Sequence, residues 1–455
     1  CRAEAFTMSI ATPSSSTAVS PDAPASYKGP LAVVTTLFFM WGALTSLNDV
    51  LIPHFQHVFS LKLAVSMLVQ TAFFSSYFVF SLPSAKVIDW LGYQKAMVVG
   101  LLTMGAGAFL FVPAAKVPSF ALFLTALIVL AAGITLLQVA ANPYVTVLGP
   151  AKTASSRLNL TQAFNSLGTT IAPWIGGLFI LSAAAVAAVD PIQQAASVIR
   201  PYVFLGIALV LLAVLIGSFK LPKIEAAQHQ IGEKVSDSIW RHPNLIFGAI
   251  AIFVYVGGEV AIGSSIANYL ALDNIGHLVS VSAVPDSALR YQEALRAAAK
   301  YISLYWGGAM VGRFIGSAVL QKVKTRPVLA FCAVMAGVLV ITSVLSNGAL
   351  AMWAILLVGL FNSIMFPSIF TLGVAELGPL TGDGSGVMIM AIVGGAAIPY
   401  LVGKIGDGIN AKSYGGAIWG QGLHYALIVA ALCYAYILFF ALSGSRPNSE
   451  RHAHS

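Results

Sequence analysis

Polar side chains that can bind cations or sugars recur inside long apolar segments of this 455-residue chain. Asp49 lies in the apolar stretch LFFMWGALTSLNDVLIPHF, directly after Asn48. An ionised carboxylate at membrane depth is costly, so it marks an ion or substrate pathway. Because a buried carboxyl group can exchange a proton near neutral pH, its protonation can shift the population of two conformations. Asp49 is therefore a candidate for coupling to a cation, and a carboxylate that serves packing alone is the alternative.

Amide side chains accompany this acid in later apolar segments. Gln138 and Asn142 lie in LLQVAANPYVTVLGP, and RLNLTQAFNSLG carries Asn159, Gln162 and Asn165 at spacings of three. That spacing places the last three on one helical face, which is costly in lipid unless it lines a polar cavity. Amides donate and accept hydrogen bonds, and aromatic rings stack on the apolar face of a sugar, so the set suits a hydroxyl-rich ligand. The candidate stacking residues are Trp41, Tyr77, Phe164, Trp306 and Phe366.

A second acid, Glu259, follows two glycines in the apolar segment FVYVGGEVAIGSSIANYL. It is a candidate both for cation coupling and for sugar contact, and an acid that faces water at the rim is the alternative. Arg313 is a possible partner of either acid. We predict instead that it reaches the cytoplasmic edge beside the basic loop at 322–326, because long basic side chains extend toward the membrane interface.

Three further motifs are interpreted as structural. Pro143 has no amide hydrogen, so it predicts a kink that frees backbone carbonyls beside the amides of its own segment. The segment GDGSG at 382–386 lacks a Lys and is predicted to form a turn between spans. The stretch 282–301 is predicted to be an external helix that begins after an N-cap at Asp286.

The composition predicts a membrane protein that crosses the bilayer many times. Hydrophobic residues make up 58% of the chain and charged residues 9%, whereas a soluble domain is about 25% charged. The excess apolar surface must face lipid, so the bilayer is a predicted partner. The net charge of +8 comes from Lys and Arg mostly in short loops, which is typical of positive-inside bias rather than of binding to nucleic acid.

No pattern of catalysis or of metal binding is present in the sequence. The three cysteines, Cys1, Cys332 and Cys433, are far apart, so they predict neither a disulfide framework nor a metal site. Zinc-protease, Cys-x-x-Cys, phosphate-loop and serine-elbow motifs are also absent. We therefore predict no enzyme activity and no cofactor.

Breaks at Gly, Pro and charged residues divide the chain into twelve apolar spans. The predicted spans are 31–56, 66–88, 95–114, 118–148, 158–183, 201–220, 243–271, 299–320, 327–346, 349–376, 384–404 and 421–443. An even number places both termini on one side of the membrane. The basic loops at 220–241 and 322–326 lie on that side and predict that it is the cytoplasm.

The one long polar connection on that side divides the spans into two halves that resemble repeats. PYVTVLGP at 143–150 recurs loosely as PSIFTLGVAELGP at 367–379. Parallel repeats with a substrate site between them are typical of the major facilitator architecture. The predicted organisation is a disordered leader at 1–28, an N-terminal six-helix bundle at 29–221, a cytoplasmic linker at 222–242, a C-terminal six-helix bundle at 243–444 and a tail at 445–455.

Several stretches spread over both halves carry a family resemblance: WGALTSLNDVLIPHF, LQVAANPYVTVLGP, RLNLTQAFNSLG, YVGGEVAIGS, GRFIGS and FPSIFTLG. They resemble the fucose–galactose–hexose symporters of the major facilitator superfamily, and within them the glucose/galactose group. The resemblance implies an all-α fold of twelve transmembrane helices in two six-helix pseudo-repeat halves. It also implies a bacterial inner-membrane protein, and we expect a monomer. Asp89, Gly92 and Lys95 resemble a degraded form of the superfamily's loop motif, which latches helix ends.

The resemblance also assigns roles to single residues. In the fucose branch, an acid in the first span and an acid in the fourth carry proton coupling and sugar binding; Asp49 matches the first, and Gln138 stands in place of the second. Asn165 matches an Asn of the sugar site. Phe366 replaces a Tyr, so one hydroxyl contact is lost. These departures favour glucose, galactose or N-acetylglucosamine over fucose.

The sequence therefore predicts a secondary active hexose symporter of the inner membrane. The coupling residues are predicted to be Asp49 and Glu259. The predicted sugar contacts are Trp41, Asn48, Gln138, Asn142, Gln162, Asn165, Glu259, Trp306 and Phe366. Coupling to sodium is the main alternative to a proton, because Gln138 cannot titrate. A multidrug–proton antiporter is the alternative of another class, although it would favour a larger apolar cavity with fewer amides.

Overall fold

A computed structural model describes residues 27–59, 68–180, 195–222, 238–280, 282, 286–412, 421–447 and 449. Within these ranges the chain forms helices joined by short connections, and it contains no β-strand. Most of the predicted leader 1–28, of the linker 222–242 and of the tail 445–455 therefore lies outside the described residues.

Apolar segments of the sequence form the long helices, and Gly, Pro or polar residues end them. The helices before the linker are α1 (Lys28–Phe59), α2 (Leu68–Lys116), α3 (Phe120–Val147), α4 (Ala154–Ile180) and α5 (Ile199–Ser218). The helices after it are α6 (Pro243–Leu270), α7 (Ser287–Val319), α8 (Thr325–Leu345), α9 (Gly348–Asn362), α10 (Met365–Gly373), α11 (Thr381–Met390), α12 (Gly394–Lys412), α13 (Gln421–Ala426) and α14 (Ile428–Phe439).

Nine helical stretches in the described part are long and apolar enough to cross a membrane. One of them, Thr71–Lys116, has 46 residues, about twice the length that one crossing needs. Its backbone breaks at Gly92, where φ is 75° and ψ is 168°. Glycine adopts this conformation without a Cβ clash. The break separates the predicted spans 66–88 and 95–114.

Some predicted spans consist of two helices. The span 349–376 is formed by α9 and α10, and the span 384–404 by α11 and α12. The predicted turn at 382–386 is wrong, because these residues lie inside α11. A Cβ at Gly386 would lie 3.1 Å from the Ala85 side chain and 3.2 Å from the Ser81 carbonyl. The glycines therefore allow α11 to pack closely against α2.

The predicted N-cap at Asp286 is confirmed. Its carboxylate accepts a hydrogen bond from the Leu289 amide at 2.7 Å, and α7 continues from there to Val319 as one helix of 33 residues. Arg290, in the first turns of α7, donates to Asp273 at 2.7 and 3.0 Å. This ion pair ties the start of α7 to the connection that follows α6.

The helices form two groups by their contacts. In the N-terminal group (α1–α5), α2 packs along α3 and α5, and α1 packs along α4. In the C-terminal group (α6–α14), α6 packs on α12 and α14, and α8 on α9 and α14. Contacts between the groups are made mainly by α4 on α7 and α10, and by α11 on α2 and α3.

Pro143 illustrates how the sequence builds one of these contacts. The α3 helix continues through Pro143 to Val147. Proline has no amide hydrogen, so the carbonyl of Val139, one turn earlier, has no partner within the helix. Ser385 on α11 donates to that carbonyl at 2.9 Å. The predicted free carbonyl is confirmed, and it bonds to the other group.

Candidate functional site

The backbone of α1, the helix that carries Asn48 and Asp49, approaches the amide-rich helix α4 closely at an earlier turn. A Cβ at Gly42 would collide with the Asn165 carbonyl, and one at Gly168 would collide with the Phe39 carbonyl. Asn48 and Asp49 lie in α1, nearly two turns beyond Gly42, and their side chains lie outside the described part of the structure.

The three amides of α4 join it to three different neighbours. Asn165 donates to the Phe38 carbonyl of α1 at 2.9 Å. Asn159 donates to the Arg313 carbonyl of α7 at 2.7 Å. Gln162 donates to the side-chain oxygen of Asn142 on α3 at 3.5 Å. The predicted amide face therefore lies where helices of both groups converge.

The amides of α3 are buried. Gln138 is 6% exposed and donates to the Tyr77 hydroxyl of α2 at 2.8 Å. Asn142 is fully buried, and its amide nitrogen has no hydrogen-bond partner among the described residues. A buried donor without a partner is uncommon and indicates a place for a ligand or water.

Arg313 occupies the centre of this convergence, and its predicted place at the cytoplasmic edge is wrong. Its guanidinium donates to the Ser363 carbonyl at 3.2 Å, to the Gln162 carbonyl at 3.4 Å and to the Ser166 hydroxyl. Ser363 lies between α9 and α10, where the helix break leaves a carbonyl available. The planar guanidinium satisfies these acceptors in two groups of helices at once, which accounts for its inward position.

Glu259 is buried in the C-terminal group, so a water-facing rim position is excluded. It is 9% exposed, and its carboxylate interacts with Arg313 and Tyr255. The Tyr305 hydroxyl donates to the Glu259 carbonyl oxygen at 3.3 Å and accepts from the Asn362 amide at 2.8 Å. Through Arg313, the acid is connected to the amide-rich helix of the other group.

The predicted stacking residues differ in exposure. Trp41 is 4% exposed, with its ring centroid 4.2 Å from that of Phe38. Phe366 is also buried, whereas Trp306 is 39% exposed and packs against Gly263. Gly263 lies one turn beyond Glu259 on α6, so Trp306 is placed near this acid in the contact between α6 and α7. Its exposed ring fits a ligand contact better than the packed ring of Trp41.

The sequence did not predict the three hydroxyl groups and the amide around Glu259. Tyr255, Tyr305, Tyr434 and Asn362 are all buried and come from four separate helices. A buried hydroxyl within an aromatic-rich segment has no characteristic spacing, so the sequence carried no signal for this cluster.

Polar contacts between the two groups concentrate at one end of the molecule, which we call the linker end. It is the end at which α3 ends, α4 begins, and Tyr144 donates to the Pro222 carbonyl at 3.2 Å. There the Ser155 and Thr371 hydroxyls lie 2.6 Å apart, and Ser156 donates to the Ser317 carbonyl at 2.7 Å.

An ion pair extends this contact. Lys86 lies 3.2 Å from Asp383 on α11 and 3.5 Å from Asp89 on its own helix. The predicted latch at Asp89 therefore involves Lys86 and Asp383, and Lys95 does not take part in these described ion pairs. In the described part of the chain, hydrogen bonds and this ion pair therefore join the two groups of helices at the linker end.

Comparison with known proteins places these features in context. The family model described as Major Facilitator Superfamily matches residues 32–399. A glucose/galactose transporter of Brucella abortus is 45% identical over 420 residues, which cover 92% of this chain and 95% of the relative. The L-fucose-proton symporter of Escherichia coli is 32% identical and covers 91% of this chain and 93% of the relative.

A solved structure is similar over nearly the same length. The crystal structure of a variant of the Escherichia coli fucose:proton symporter superposes with a TM-score of 0.79 at 30% sequence identity. The match covers 92% of this chain and all of the solved chain. The arrangement of the helices is therefore shared along almost the whole described chain.

Proposed function

Because the chain belongs to the Major Facilitator Superfamily, we propose that it is a secondary active transporter that takes up a hexose together with a cation by alternating access. Glucose or galactose is the proposed substrate, with N-acetylglucosamine as an alternative. The observation that carries this proposal is the 45% identity to a glucose/galactose transporter over 92% of the chain. The named proton symporters among the relatives support a proton as the coupling ion.

The polar residues between the groups support a sugar site at that position. Gln138, Asn142, Gln162 and Asn165 supply paired donors and acceptors, as hydroxyl-rich ligands require. Asn142 has an amide that no described residue satisfies. We propose that Trp41, Asn48, Glu259, Trp306 and Phe366 complete the sugar site.

We assign coupling to Asp49, with Glu259 as a second acid. Cation binding at Asp49 would favour the state that binds and encloses the sugar, because the cation binds the two conformations unequally. Movement of one positive charge into the cell releases about 2.3 kcal/mol per 100 mV, which can drive accumulation of a neutral sugar. Sodium remains the alternative, because Gln138 cannot titrate and carboxylate and amide oxygens suit a hard cation.

We further propose twelve crossings in two bundles at 29–221 and 243–444, a monomer in the bacterial inner membrane, and cytoplasmic termini. The basic loops beside the linker support this orientation. The contacts at the linker end then correspond to a state closed toward the cytoplasm.

The test is uptake of labelled glucose, galactose and N-acetylglucosamine into proteoliposomes, with proton and sodium gradients imposed separately. We expect one gradient to drive accumulation of one or two of these sugars. We expect Asp49→Asn to lose accumulation but to retain exchange of labelled for unlabelled sugar. Unchanged accumulation in that variant would reject the assignment of Asp49, and sugar equilibration under every gradient would reject symport.

A further inference from the structure

A cluster of buried polar atoms in the C-terminal group lacks partners. The Oε1 atom of Glu259, the Oδ1 atom of Asn362 and the hydroxyl of Tyr434 are buried and have no hydrogen-bond partner among the described residues. The exposed fractions are 9% for Glu259, zero for Asn362 and 1% for Tyr434. Buried acceptors of this kind normally have a donor or a cation.

Other atoms of Glu259 and Asn362 do form hydrogen bonds, and these bonds connect the two residues through neighbouring tyrosines. Tyr305 accepts from the Asn362 amide at 2.8 Å and donates to the Glu259 backbone at 3.3 Å. Tyr255, one turn before Glu259 on α6, donates to the Asn362 carbonyl at 3.2 Å. Tyr434 on α14 is an electrostatic neighbour of both Glu259 and Asn362. The cluster is therefore assembled by α6, α7, α9 and α14, and three of its oxygens have no hydrogen-bond partner among the described residues.

We propose that Glu259, Asn362 and Tyr434 bind one small monovalent cation, a proton or a sodium ion, at a site in the C-terminal group that is separate from Asp49. A proton would add to the Glu259 carboxylate and give it an O–H that can donate to the Asn362 oxygen. A sodium ion would be held by the same carboxylate, amide and hydroxyl oxygens, which are the ligand types that hard cations prefer. No other bond forms or breaks in either case. A single ion gives a partner to the Glu259 and Asn362 oxygens, and the Tyr434 hydroxyl is the third oxygen of the site.

One of the charged and titratable neighbours of Glu259 also contacts the N-terminal group of helices. Arg313 of α7 is its cationic neighbour, and Tyr255, Tyr305, Tyr434 and Cys433 surround it from the same and adjacent helices. From α12, the groups that contact the turn before Glu259 are the uncharged Gly394 and Ile398.

An ionised Glu259 attracts Arg313, whereas a bound cation reduces that attraction. Arg313 then keeps its bonds to Ser166 and Gln162 on α4, which hold the two groups together. Occupancy of the site is thereby linked to the closed linker end, since the cation binds the two arrangements unequally. This link to transport rests on the proposed symport function, whereas ion binding itself does not.

Ion binding can be measured without any sugar transport. The full-length protein carrying Asp49→Asn, which removes the other acid, is purified in detergent. Its thermal midpoint is followed against NaCl, with choline chloride at equal ionic strength as reference, and separately against pH without sodium. A ligand that binds the folded state raises the midpoint in a saturable manner.

A sodium site is expected to raise the midpoint with NaCl alone, and a proton site to raise it as the pH falls. In either case, adding Glu259→Gln is expected to abolish the response, and adding Tyr434→Phe to weaken it. Tyr202→Phe is the matched control, because Tyr202 is equally buried but stacks on Phe111 in the other group; it is expected to change nothing.

Two results would overturn the site. One is an Asp49→Asn protein that responds to neither ion, and the other is a response that survives Glu259→Gln unchanged. If the Glu259→Gln protein does not fold, the Tyr434→Phe protein is used instead. An unaltered change of its thermal midpoint with NaCl or pH would reject the site. Because none of these readings depends on sugar movement, failure of the symport proposal would be seen separately in the uptake experiment.

Discussion

Single polar side chains connect the two groups of helices, and Arg313 is one that bonds to residues of both groups. Its guanidinium bonds to Ser363 in its own group and to Gln162 and Ser166 in the other. It is also a cationic neighbour of the buried Glu259. Because of these partners, Arg313 contributes to the stability of the state that is closed at the linker end, and it sets part of the electrostatic environment of Glu259.

We predict that Arg313→Lys destabilises the protein and slows sugar transport. Lysine keeps the charge but cannot reach three acceptors with one planar group. Each hydrogen bond from a charged group contributes about 1.5–3 kcal/mol, so the loss of two corresponds to about 3–6 kcal/mol. A fall in the thermal midpoint in detergent would report this loss. Lys322→Ala, in the exposed loop after α7, is the control and is expected to have no effect. An unchanged midpoint in Arg313→Lys would show that these bonds contribute little.

At the scale of elements, the position of α1 depends on two glycines. Gly42 and Gly168 let the α1 and α4 backbones meet directly, and this contact holds the helix that carries Asp49. The sequence predicted both helices from their apolar runs, but it did not predict their contact. Small residues are frequent in membrane helices, and only the fold reveals which of the 41 glycines lie at a close approach.

Gly42→Ala is expected to lower the thermal midpoint and to reduce sugar uptake. A Cβ there would meet the backbone and side chain of Asn165, and overpacking of this kind costs about 1–3 kcal/mol. Gly403→Ala is the matched control on α12, where a Cβ would have nothing within 4 Å. It is expected to be neutral or stabilising by up to about 1 kcal/mol, because alanine favours a helix. Equal midpoints for the two variants would refute the role of the glycine contact.

The start of α7 predicts a pH dependence. Hydrogen bonds from Arg290 hold the pKa of Asp273 below its usual range. The ion pair therefore stabilises the fold above about pH 4, the usual pKa of an Asp, and this contribution is lost as the pH falls through the lowered pKa. Asp273→Asn should have a lower thermal midpoint than the wild type at pH 7, by a small amount because Asp273 is largely exposed. The difference should shrink below pH 4, and a difference that is constant with pH would contradict this account.

Breaks inside helices show the limit of prediction from the sequence at this scale. Where the structure describes them, the twelve apolar runs each coincide with helical structure, because a long apolar run favours a membrane-spanning helix. The division of three runs, into α9 with α10, α11 with α12, and α13 with α14, was not predicted. The glycines at 382–386 have the composition of a turn, yet packing against α2 outweighs their low helix propensity.

For the whole molecule, the two groups of helices meet most closely at the linker end. The hydroxyls of Ser156 and Ser317 lie 3.4 Å apart, and they connect the start of α4 to the end of α7. Alternating access requires these contacts to separate. The sequence indicated two repeat-like halves and the amides between them. It did not indicate which ends are in contact, because the same residues must support more than one arrangement.

The double variant Ser156→Cys with Ser317→Cys is expected to stop transport when oxidised. A disulfide requires Cβ atoms about 4 Å apart, which two hydroxyls in contact can provide. The native Cys332 and Cys433 are buried, so they should not interfere, and the third cysteine, Cys1, is replaced by serine in all variants. Sugar uptake should fall under oxidant and return with reductant, whereas Ser156→Cys alone should be insensitive. Full uptake by a protein shown to be crosslinked would contradict separation at this end.

The central claim is that sugar and cation move together. The most direct measurement is the pH of a weakly buffered suspension of proteoliposomes, without any imposed gradient, when glucose or galactose is added outside. The account predicts that the medium becomes alkaline as each sugar enters with a proton, or that labelled sodium enters instead, and that Asp49→Asn abolishes the cation flux. Sugar entry without movement of either ion would contradict it.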